Sequence, residues 1–269
     1  MAHDASYPLH TDLAELERLR FQHEVWGDQT RAFLARLGVR EGMRVLDLGC
    51  GPGFVSLELA RLVGPTGRVT ALDESSGWHA WLSTEARRLG IANLVQVETR
   101  LQHADFPEDS FDLVFGRWFW SFVPDPCTQA RRVARWLSPG GVFALQDYHH
   151  EGIALHPPAR GFDAVVRGLR AMYANHGGDA FVAARAPEMF AAAGLATLEL
   201  RPTIRCGAPG SPLHAWADGF LPRYARKLLA GGWIAAAECE QFEREWRAHS
   251  TNPHALFWSP VVLDAAAVK

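Results

Sequence analysis

The sequence predicts a doubly wound α/β fold built on a mostly parallel sheet. Three observations carry this prediction. Apolar runs of strand length occupy residues 44–48, 68–72, 111–115 and 142–145, the segments between them have helical spacing, and a glycine-rich loop directly follows the first run. Apolar strands alternate with helices in this way when helices cover both faces of a parallel sheet through right-handed crossovers.

The expected elements begin with a helical cover over residues 1–41, in which leucines and aromatic residues recur at helical spacing. The core follows over residues 42–147. Between its strands, helices are expected over 54–63, 75–89 and 126–137, and a further strand opens at Asn93.

Residues 148–182 and 207–254 are expected to form lid segments over that core, so that residues 1–269 make one domain. The pattern after residue 147 is weaker. It predicts helices over 161–174 and 183–193, and strands over 195–204 and 255–262.

Composition excludes several classes of protein. The chain has 269 residues, a hydrophobic fraction of 48% and a net charge of −3, which argues against a disordered chain and against a basic nucleic-acid binder. The four scattered cysteines form no C-x-x-C pair, a pattern that fits reduced thiols in a cytoplasmic protein. We expect no signal peptide and no membrane span.

A glycine-rich loop, residues 47–53 (DLGCGPG), joins the first strand to the next helix. Glycine allows a tight turn and lets a ligand approach the backbone, because no Cβ atom stands in the way. Asp73 ends the second strand, where a carboxylate can accept hydrogen bonds from both hydroxyls of a ribose. Loop and acid together predict a nucleoside site rather than a mere turn.

The loop departs from the dinucleotide fingerprint, because it reads G-x-G-x-G and not G-x-G-x-x-G. Asp47 precedes the first glycine of the loop by two positions. A carboxylate there suits a ligand with a positive charge, such as an amino group or a sulfonium, better than a pyrophosphate. This favours a cofactor other than NAD.

Four features in this order, DLGCGPG at 47–53, Asp73, FDLVFGRW at 111–118 and LSPGG at 137–141, resemble the class I S-adenosylmethionine-dependent methyltransferases. The resemblance covers roughly residues 15–147. It implies a Rossmann-like sheet of seven strands, two of them after residue 194, with helical lid insertions. It also implies S-adenosylmethionine as cofactor, S-adenosylhomocysteine as product, and methyl transfer to O, N or C of a small organic acceptor.

The resemblance implies the cofactor contacts as well. Asp47 would lie near the methionine moiety, Asp73 would hold the ribose, and the remaining cofactor-binding positions would be Gly49, Cys50, Gly51, Gly53, Glu74, Arg100, Leu101, Arg117 and Trp118. Arg100 stands where such enzymes often carry an acid for the adenine amino group. Because a guanidinium cannot accept a hydrogen bond, the backbone N–H of Leu101 is the expected adenine contact.

Polar and aromatic residues at the ends of the fourth and fifth strands are the candidates for the reaction centre. Arg117 is expected to pair with the cofactor carboxylate, and Trp118 or Trp120 to lie against the sulfonium, unless these rings pack in the core. Catalytic candidates are Tyr148, His149 and His150, with imidazole as a general base, although a surface or capping role is the alternative. Adjacent residues of a strand point apart, so no metal is expected.

The cover over the cleft is rich in aromatic and imidazole rings, which either line an acceptor pocket or pack the lid onto the sheet. These rings belong to Tyr7, Phe21, Trp26, Phe162, Tyr173, His176, Trp216, Phe220, Tyr224, Phe257 and Trp258.

Other functions stay open at this point. A macromolecule methyltransferase, acting on RNA or protein, would use a basic patch on two helices formed by Arg87, Arg88, Arg131, Arg132 and Arg135. A non-catalytic cofactor-binding protein is supported only by Arg100. The expected partner is a small-molecule acceptor, with neither nucleic acid nor membrane, and a homodimer is one alternative for the oligomeric state.

Overall fold

The structure is a computed structural model, and it describes residues 12–269. Ten strands are formed by these residues: β1 (Arg44–Leu48), β2 (Arg68–Asp73), β3 (Leu94–Glu98), β4 (Phe111–Arg117), β5 (Leu137–His149), β6 (Ala154–His156), β7 (Ala196–Thr203), β8 (Cys206–Gly207), β9 (Leu256–Trp258) and β10 (Val261–Val268). The helices are α1 (Leu13–Arg36), α2 (Phe54–Val63), α3 (Ser76–Arg88), α4 (Pro126–Trp136), α5 (Arg160–Asn175), α6 (Ala186–Ala192), α7 (Pro212–Ala230) and α8 (Ala236–Thr251).

Seven strands form the central sheet in the order β3-β2-β1-β4-β5-β10-β7. The first five are mutually parallel, and β10 runs antiparallel to both of its neighbours. On one face the sheet packs against α1 and α2, and on the other against α4 and α6. The predicted fold class is therefore confirmed, including two strands of the sheet after residue 194.

The predicted strand over residues 255–262 is wrong. The chain forms β9 before Pro260 and β10 after it, and β9 belongs to a separate three-stranded sheet of order β6-β9-β8. Proline has no N–H group to donate to a sheet ladder, so one continuous strand ends there. Alanines fill the second half of β10, and their weak strand propensity hid it in the sequence.

The lid elements pack against one another over the carboxyl ends of β1, β4 and β5. Helices α5, α7 and α8 fall within the lid segments expected at 148–182 and 207–254, and they share an apolar cluster with Trp26 of α1 and Phe257 of β9. Of the expected cover at 1–41, the part before residue 12, with Tyr7, lies outside the described residues. No helix between residues 12 and 269 combines the length and the apolar character that crossing a bilayer requires.

A buried polar cluster attaches α1 to the sheet. Asp264 of β10 is 1% exposed, and its Oδ1 accepts hydrogen bonds from Gln29 Nε2 at 2.9 Å and from Gln146 Nε2 at 2.6 Å. Arg36 Nη2 donates to Asp264 Oδ2 at 2.8 Å, and Thr30 Oγ1 donates to Gln146 Oε1 at 2.6 Å. Such a group is stable inside a protein only when its partners are all in place.

We expect Asp264→Ala to lower the free energy of unfolding by about 3 kcal/mol, because it leaves buried amides and a guanidinium without their acceptor. Asp264→Asn keeps an acceptor oxygen for the two glutamines and should lose less. Urea unfolding followed by tryptophan fluorescence measures both. A free energy of unfolding equal to that of the wild type in Asp264→Ala would contradict this account.

Candidate cofactor and acceptor site

The three glycines of the loop after β1 all have left-handed backbones, with φ of 62° at Gly49, 53° at Gly51 and 79° at Gly53. A Cβ atom at Gly49 would lie 2.1 Å from the Phe119 ring, and one at Gly53 would lie 2.5 Å from Leu82. At Gly51 a Cβ would meet nothing within 4 Å. Two glycines are thus required by close packing, whereas the third faces open space.

Asp73 holds this loop in position. Its Oδ2 accepts a hydrogen bond from the Gly51 N–H at 2.8 Å, and its Oδ1 accepts one from the Ser75 N–H at 2.9 Å. Burial raises the pKa of the carboxyl group despite these two bonds. Because each carboxylate oxygen has a second lone pair, Asp73 can still accept hydrogen bonds from a ligand.

Asp47 lies behind the loop and is buried. Its Oδ2 accepts a hydrogen bond from Ser56 Oγ at 2.5 Å, and burial raises the pKa of Asp47 to about 7, although the positive charge of Arg117 opposes this shift. Burial and the two nearby aspartates also raise the pKa of the Cys50 thiol. Cys50 is therefore a neutral wall of the loop, and its N–H donates to the Leu72 carbonyl at 3.0 Å.

One cavity of about 340 Å³ extends from this loop to the lid. Its first half is formed by residues of the loop and of the strand ends, among them Asp47, Gly49, Cys50, Gly51, Asp73, Glu74, Arg100, Leu101, Arg117 and Trp118. Its second half is formed by Phe122, Tyr148, His150, Ile153, Leu169, Met172, Tyr173, His176, Trp216, Ala217, Phe220, Leu221, Tyr224 and Phe257. All but one of the expected cofactor residues line the first half, and Gly53 packs behind it.

Glu74 and Arg100 form an ion pair at the rim of this first half, with Arg100 Nε donating to Glu74 Oε2. The arginine at the position of the usual adenine-binding acid is thus held by the acid that follows Asp73. Leu101 is buried beside it and begins a short 3₁₀ turn.

Arg117 ends β4 in a partly buried position. Its Nη1 donates to Thr30 Oγ1 at 3.0 Å and its Nη2 to His23 Nδ1 at 3.0 Å, both on α1. Burial lowers the pKa of Arg117 to about 10, with the negative charge of Asp47 opposing the shift, so the guanidinium stays charged near neutral pH. Thr30 and His23 were missed by the sequence analysis. They are seven residues apart, which is two helical turns, so both lie on one face of α1. This spacing is the sequence feature that could have indicated them.

Trp118 has a left-handed backbone with φ of 52° and does not continue the strand. Its ring stacks on Tyr148 at 5.6 Å with an interplanar angle of 8°, and the Arg117 guanidinium lies 4.5 Å from the ring centroid. Trp120, the alternative neighbour of the sulfonium, is fully buried against Phe143 and does not line the cavity. The prediction that Trp120 lies against the sulfonium is wrong. The left-handed turn at Trp118 interrupts the alternation of side chains between the two faces of the strand.

The side chains of the three catalytic candidates point in different directions. Tyr148 and His150 line the cavity, whereas His149 between them packs on Phe181, and its Nδ1 accepts a hydrogen bond from the Glu151 N–H at 3.3 Å. The prediction for His149 is corrected, since neighbours in extended chain point to opposite sides. Burial, Arg170 and His149 lower the pKa of His150 to about 3, so His150 is a neutral imidazole and a weak base.

Of the ring-bearing residues expected in the cover, six line the cavity: Tyr173, His176, Trp216, Phe220, Tyr224 and Phe257. Trp26 and Phe162 pack in the lid core instead. Helix α1 adds Arg18, Leu19 and Gln22, which the sequence analysis missed. Within the described part of the chain, no cluster of three His, Cys, Asp or Glu side chains is arranged to hold a metal ion.

A seven-stranded sheet of this order, with a glycine loop after its first strand and an acid after its second, defines a nucleoside-cofactor-binding α/β protein. Residues 45–141 match the family model described as a methyltransferase domain. The match covers the loop, the acid after β2 and the strands around them, so this part of the chain is similar to methyltransferase domains.

The chain is similar to two demethylmenaquinone methyltransferases. It is 33% identical to the one from Staphylococcus aureus over 126 residues, which are 45% of this chain and 48% of that protein. It is 28% identical to the one from Lactococcus lactis over 138 residues, which are 51% of this chain and 54% of that protein. The chain thus spans about half the length of the curated relatives that it matches.

Among solved structures, the chain resembles the YcgJ protein of Bacillus subtilis, with a TM-score of 0.60 and 19% identity over 89% of this chain and 98% of that one. At this level of identity the likeness shows the fold.

We expect Gly51→Ala to weaken the binding of S-adenosylhomocysteine by more than tenfold. The added methyl group would occupy the open space beside the loop, where the cofactor is expected to approach the backbone. Gly194→Ala is the matched control, since Gly194 has a similar φ of 70°, faces open space and lies at the end of α6. Both variants carry about 1–2 kcal/mol of backbone strain. Calorimetry should show that only Gly51→Ala loses affinity, and an equal loss in both would contradict the assignment.

Proposed function

We propose that this chain transfers a methyl group from S-adenosylmethionine to an O, N or C atom of a small organic acceptor. The observation that carries the proposal is the continuity of one cavity, in which a glycine loop with its acid leads directly into an aromatic half formed by the lid. Such an arrangement holds a nucleoside cofactor at one end and an apolar molecule at the other.

The residues of the first half fit this cofactor. Asp73 would accept from the ribose hydroxyls, Asp47 would face the amino group, and Arg117 would pair with the carboxylate of the methionine moiety. The backbone of the loop offers an approach at Gly51, where no side chain stands. We place the Leu101 N–H at the adenine and Trp118 near the sulfonium, where an indole ring attracts a cation.

S-adenosylmethionine supplies a methyl group that is already activated by its sulfonium. The contribution of the chain is therefore to align the acceptor with that methyl group and to exclude water. The stacked rings of Trp118 and Tyr148 stand at the junction of the two halves and suit both tasks. No proton-transfer residue is required when the acceptor atom already carries a free lone pair.

The curated relatives are named for a small quinone-type substrate, and this supports a small organic acceptor here as well. The family match ends at residue 141, before the lid residues that line the acceptor half. We therefore carry over the class of acceptor and not its identity. A cytoplasmic location and a homodimer remain predictions from the sequence.

A macromolecular acceptor is less well supported. Four of the five arginines of the expected basic patch are engaged by the chain itself. Arg88 pairs with Glu85, Arg135 pairs with Glu108, and Arg131 and Arg132 donate to backbone carbonyls. The non-catalytic alternative rests on Arg100 alone, and no other residue of the cavity favours it.

The direct test is incubation with methyl-labelled S-adenosylmethionine and a panel of phenols, amines, carboxylates and activated carbon acids. We expect calorimetric binding of S-adenosylhomocysteine and label transfer to at least one class of small acceptor. Absence of cofactor binding would overturn the proposal. Label transfer to bulk RNA or protein, with none to small molecules, would favour the macromolecular alternative.

Asp47 predicts a pH dependence of cofactor binding. Because its pKa is about 7, the carboxyl group is mostly neutral at pH 6 and mostly ionised at pH 8. The ionised form attracts the ammonium group of S-adenosylhomocysteine, so affinity should rise about tenfold over this range. In Asp47→Asn, which keeps an acceptor for Ser56, the affinity should be flat with pH. A wild-type affinity that falls from pH 6 to pH 8 would exclude this placement.

A further inference from the structure

The lid side of the cavity has a distinctive charge pattern. Every charged side chain that lines the cavity belongs to α1, to a strand end or to the turns after β2 and β3. The lining residues beyond Pro124 include no Asp, Glu, Lys or Arg. Arg18 of α1 lies beside this half, 5.8 Å from the centroid of the Phe220 ring, and it is paired with Glu15 at 2.7 Å. A charged acceptor would therefore lose its hydration in this half and meet only an arginine that already has a carboxylate partner, which is unfavourable.

Among the described residues that line the cavity, two side chains carry a buried polar atom without a partner, Trp118 at the junction of the halves and His150 in the lid half. His150 is 6% exposed and lines the cavity, yet its Nδ1 has no hydrogen-bond partner among residues 12–269. The other histidines near the site are engaged: His79 bonds through both ring nitrogens, and His176 Nδ1 bonds to the Met172 carbonyl at 2.8 Å. A buried polar atom without a partner is costly, and a ligand relieves that cost when the ring turns Nδ1 toward it.

The surroundings of His150 place its ring between two aromatic neighbours and set its charge. The rings of Tyr148 and Tyr173 meet it edge-on at 5.9 and 5.7 Å. Arg170 Nη2 donates to the backbone carbonyl of His150 at 2.5 Å. Burial, with Arg170 nearby, lowers the pKa of His150 and keeps the imidazole neutral, so it presents one donor and one acceptor.

We propose that the acceptor is an uncharged, flat aromatic molecule that carries a hydroxyl group, and that His150 positions it by a hydrogen bond to that hydroxyl. A hydroxyl both donates and accepts, so it complements either tautomer of a neutral imidazole. The parallel rings of Trp118 and Tyr148 give the adjoining wall a flat aromatic surface. This inference rests on the proposed function, because it names the acceptor class of the same site.

Calorimetry on the protein, alone and saturated with S-adenosylhomocysteine, tests the inference with five probes. These are 4-ethylphenol, 4-ethylanisole, ethylbenzene, 4-ethylbenzoate and benzylammonium. We expect 4-ethylphenol to bind most tightly, with both ions at least tenfold weaker. Tighter binding of benzylammonium would mean that the rings form a cage for cationic amines and would overturn the inference, as would tighter binding of 4-ethylbenzoate.

The variants isolate the role of His150. His150→Phe should reduce the preference for 4-ethylphenol over ethylbenzene by about 2- to 12-fold, the range of one neutral hydrogen bond. His150→Gln should restore part of that preference, and His149→Phe, which alters the neighbour outside the cavity, should leave it unchanged. Because each preference is a ratio of two ligands on one variant, a general loss of stability does not imitate it.

The two proposals fail in different ways. A preference that is the same in the wild type and in His150→Phe overturns the role of His150 while cofactor binding still supports methyl transfer. If S-adenosylhomocysteine does not bind, the proposed function is overturned, and the probe series on the protein alone still reports the selectivity of the lid half. Wild-type selectivity for 4-ethylphenol should also stay constant between pH 5 and pH 8.

Discussion

The site depends on a chain of hydrogen bonds that begins in the buried core of the sheet and ends at the partly buried edge of the cavity. It begins at Asp264, passes through the amide of Gln146 and the hydroxyl of Thr30, and ends at the Arg117 guanidinium. Each group of this chain has its donor and acceptor roles fixed by the next, because the hydroxyl hydrogen of Thr30 is given to Gln146 and its oxygen is left to accept from Arg117. The charge that faces the cofactor half is thus held by residues far from it in sequence.

This chain also explains why α1 is part of the site. The last turns of the helix are attached to β5 and β10 through Thr30 and Arg36, and its first turns reach the cavity with Arg18 and Gln22. At the same end Glu15 accepts from Arg223 of α7 at 3.0 Å, and Gln22 accepts from the Trp216 indole at 3.0 Å. One rigid helix therefore connects the cofactor platform to the lid, and the lid takes its position from the sheet.

The sequence predicts the platform well because its determinants are local. The strand, the loop and the helix of residues 44–63 are adjacent in the chain, and Asp73 ends the neighbouring strand, so spacing alone brings the loop and the acid together. The polar chain behind Arg117 is different, because Thr30 and Asp264 lie more than 200 residues apart and only the folded sheet joins them. In the same way, alternation separates His149 from His150 but does not say which of the two faces the cavity. That choice is made by the register of β5 against β10.

The left-handed backbone of Trp118 could not be read from the sequence either, and its cause lies in Asp147. This buried carboxylate accepts hydrogen bonds from the N–H groups of Trp120 at 2.7 Å and Ser121 at 3.3 Å, and from the Ser121 hydroxyl at 3.1 Å. The loop after β4 is therefore fixed at several points, and such a loop can hold a bulky residue at positive φ that an isolated chain would avoid. Burial raises the pKa of Asp147 to about 6, because the ionised carboxylate is less favourable away from water. The strain at Trp118 turns its ring out of the strand and onto Tyr148, so the boundary between the cofactor half and the acceptor half is set by a residue that does not itself line the cavity.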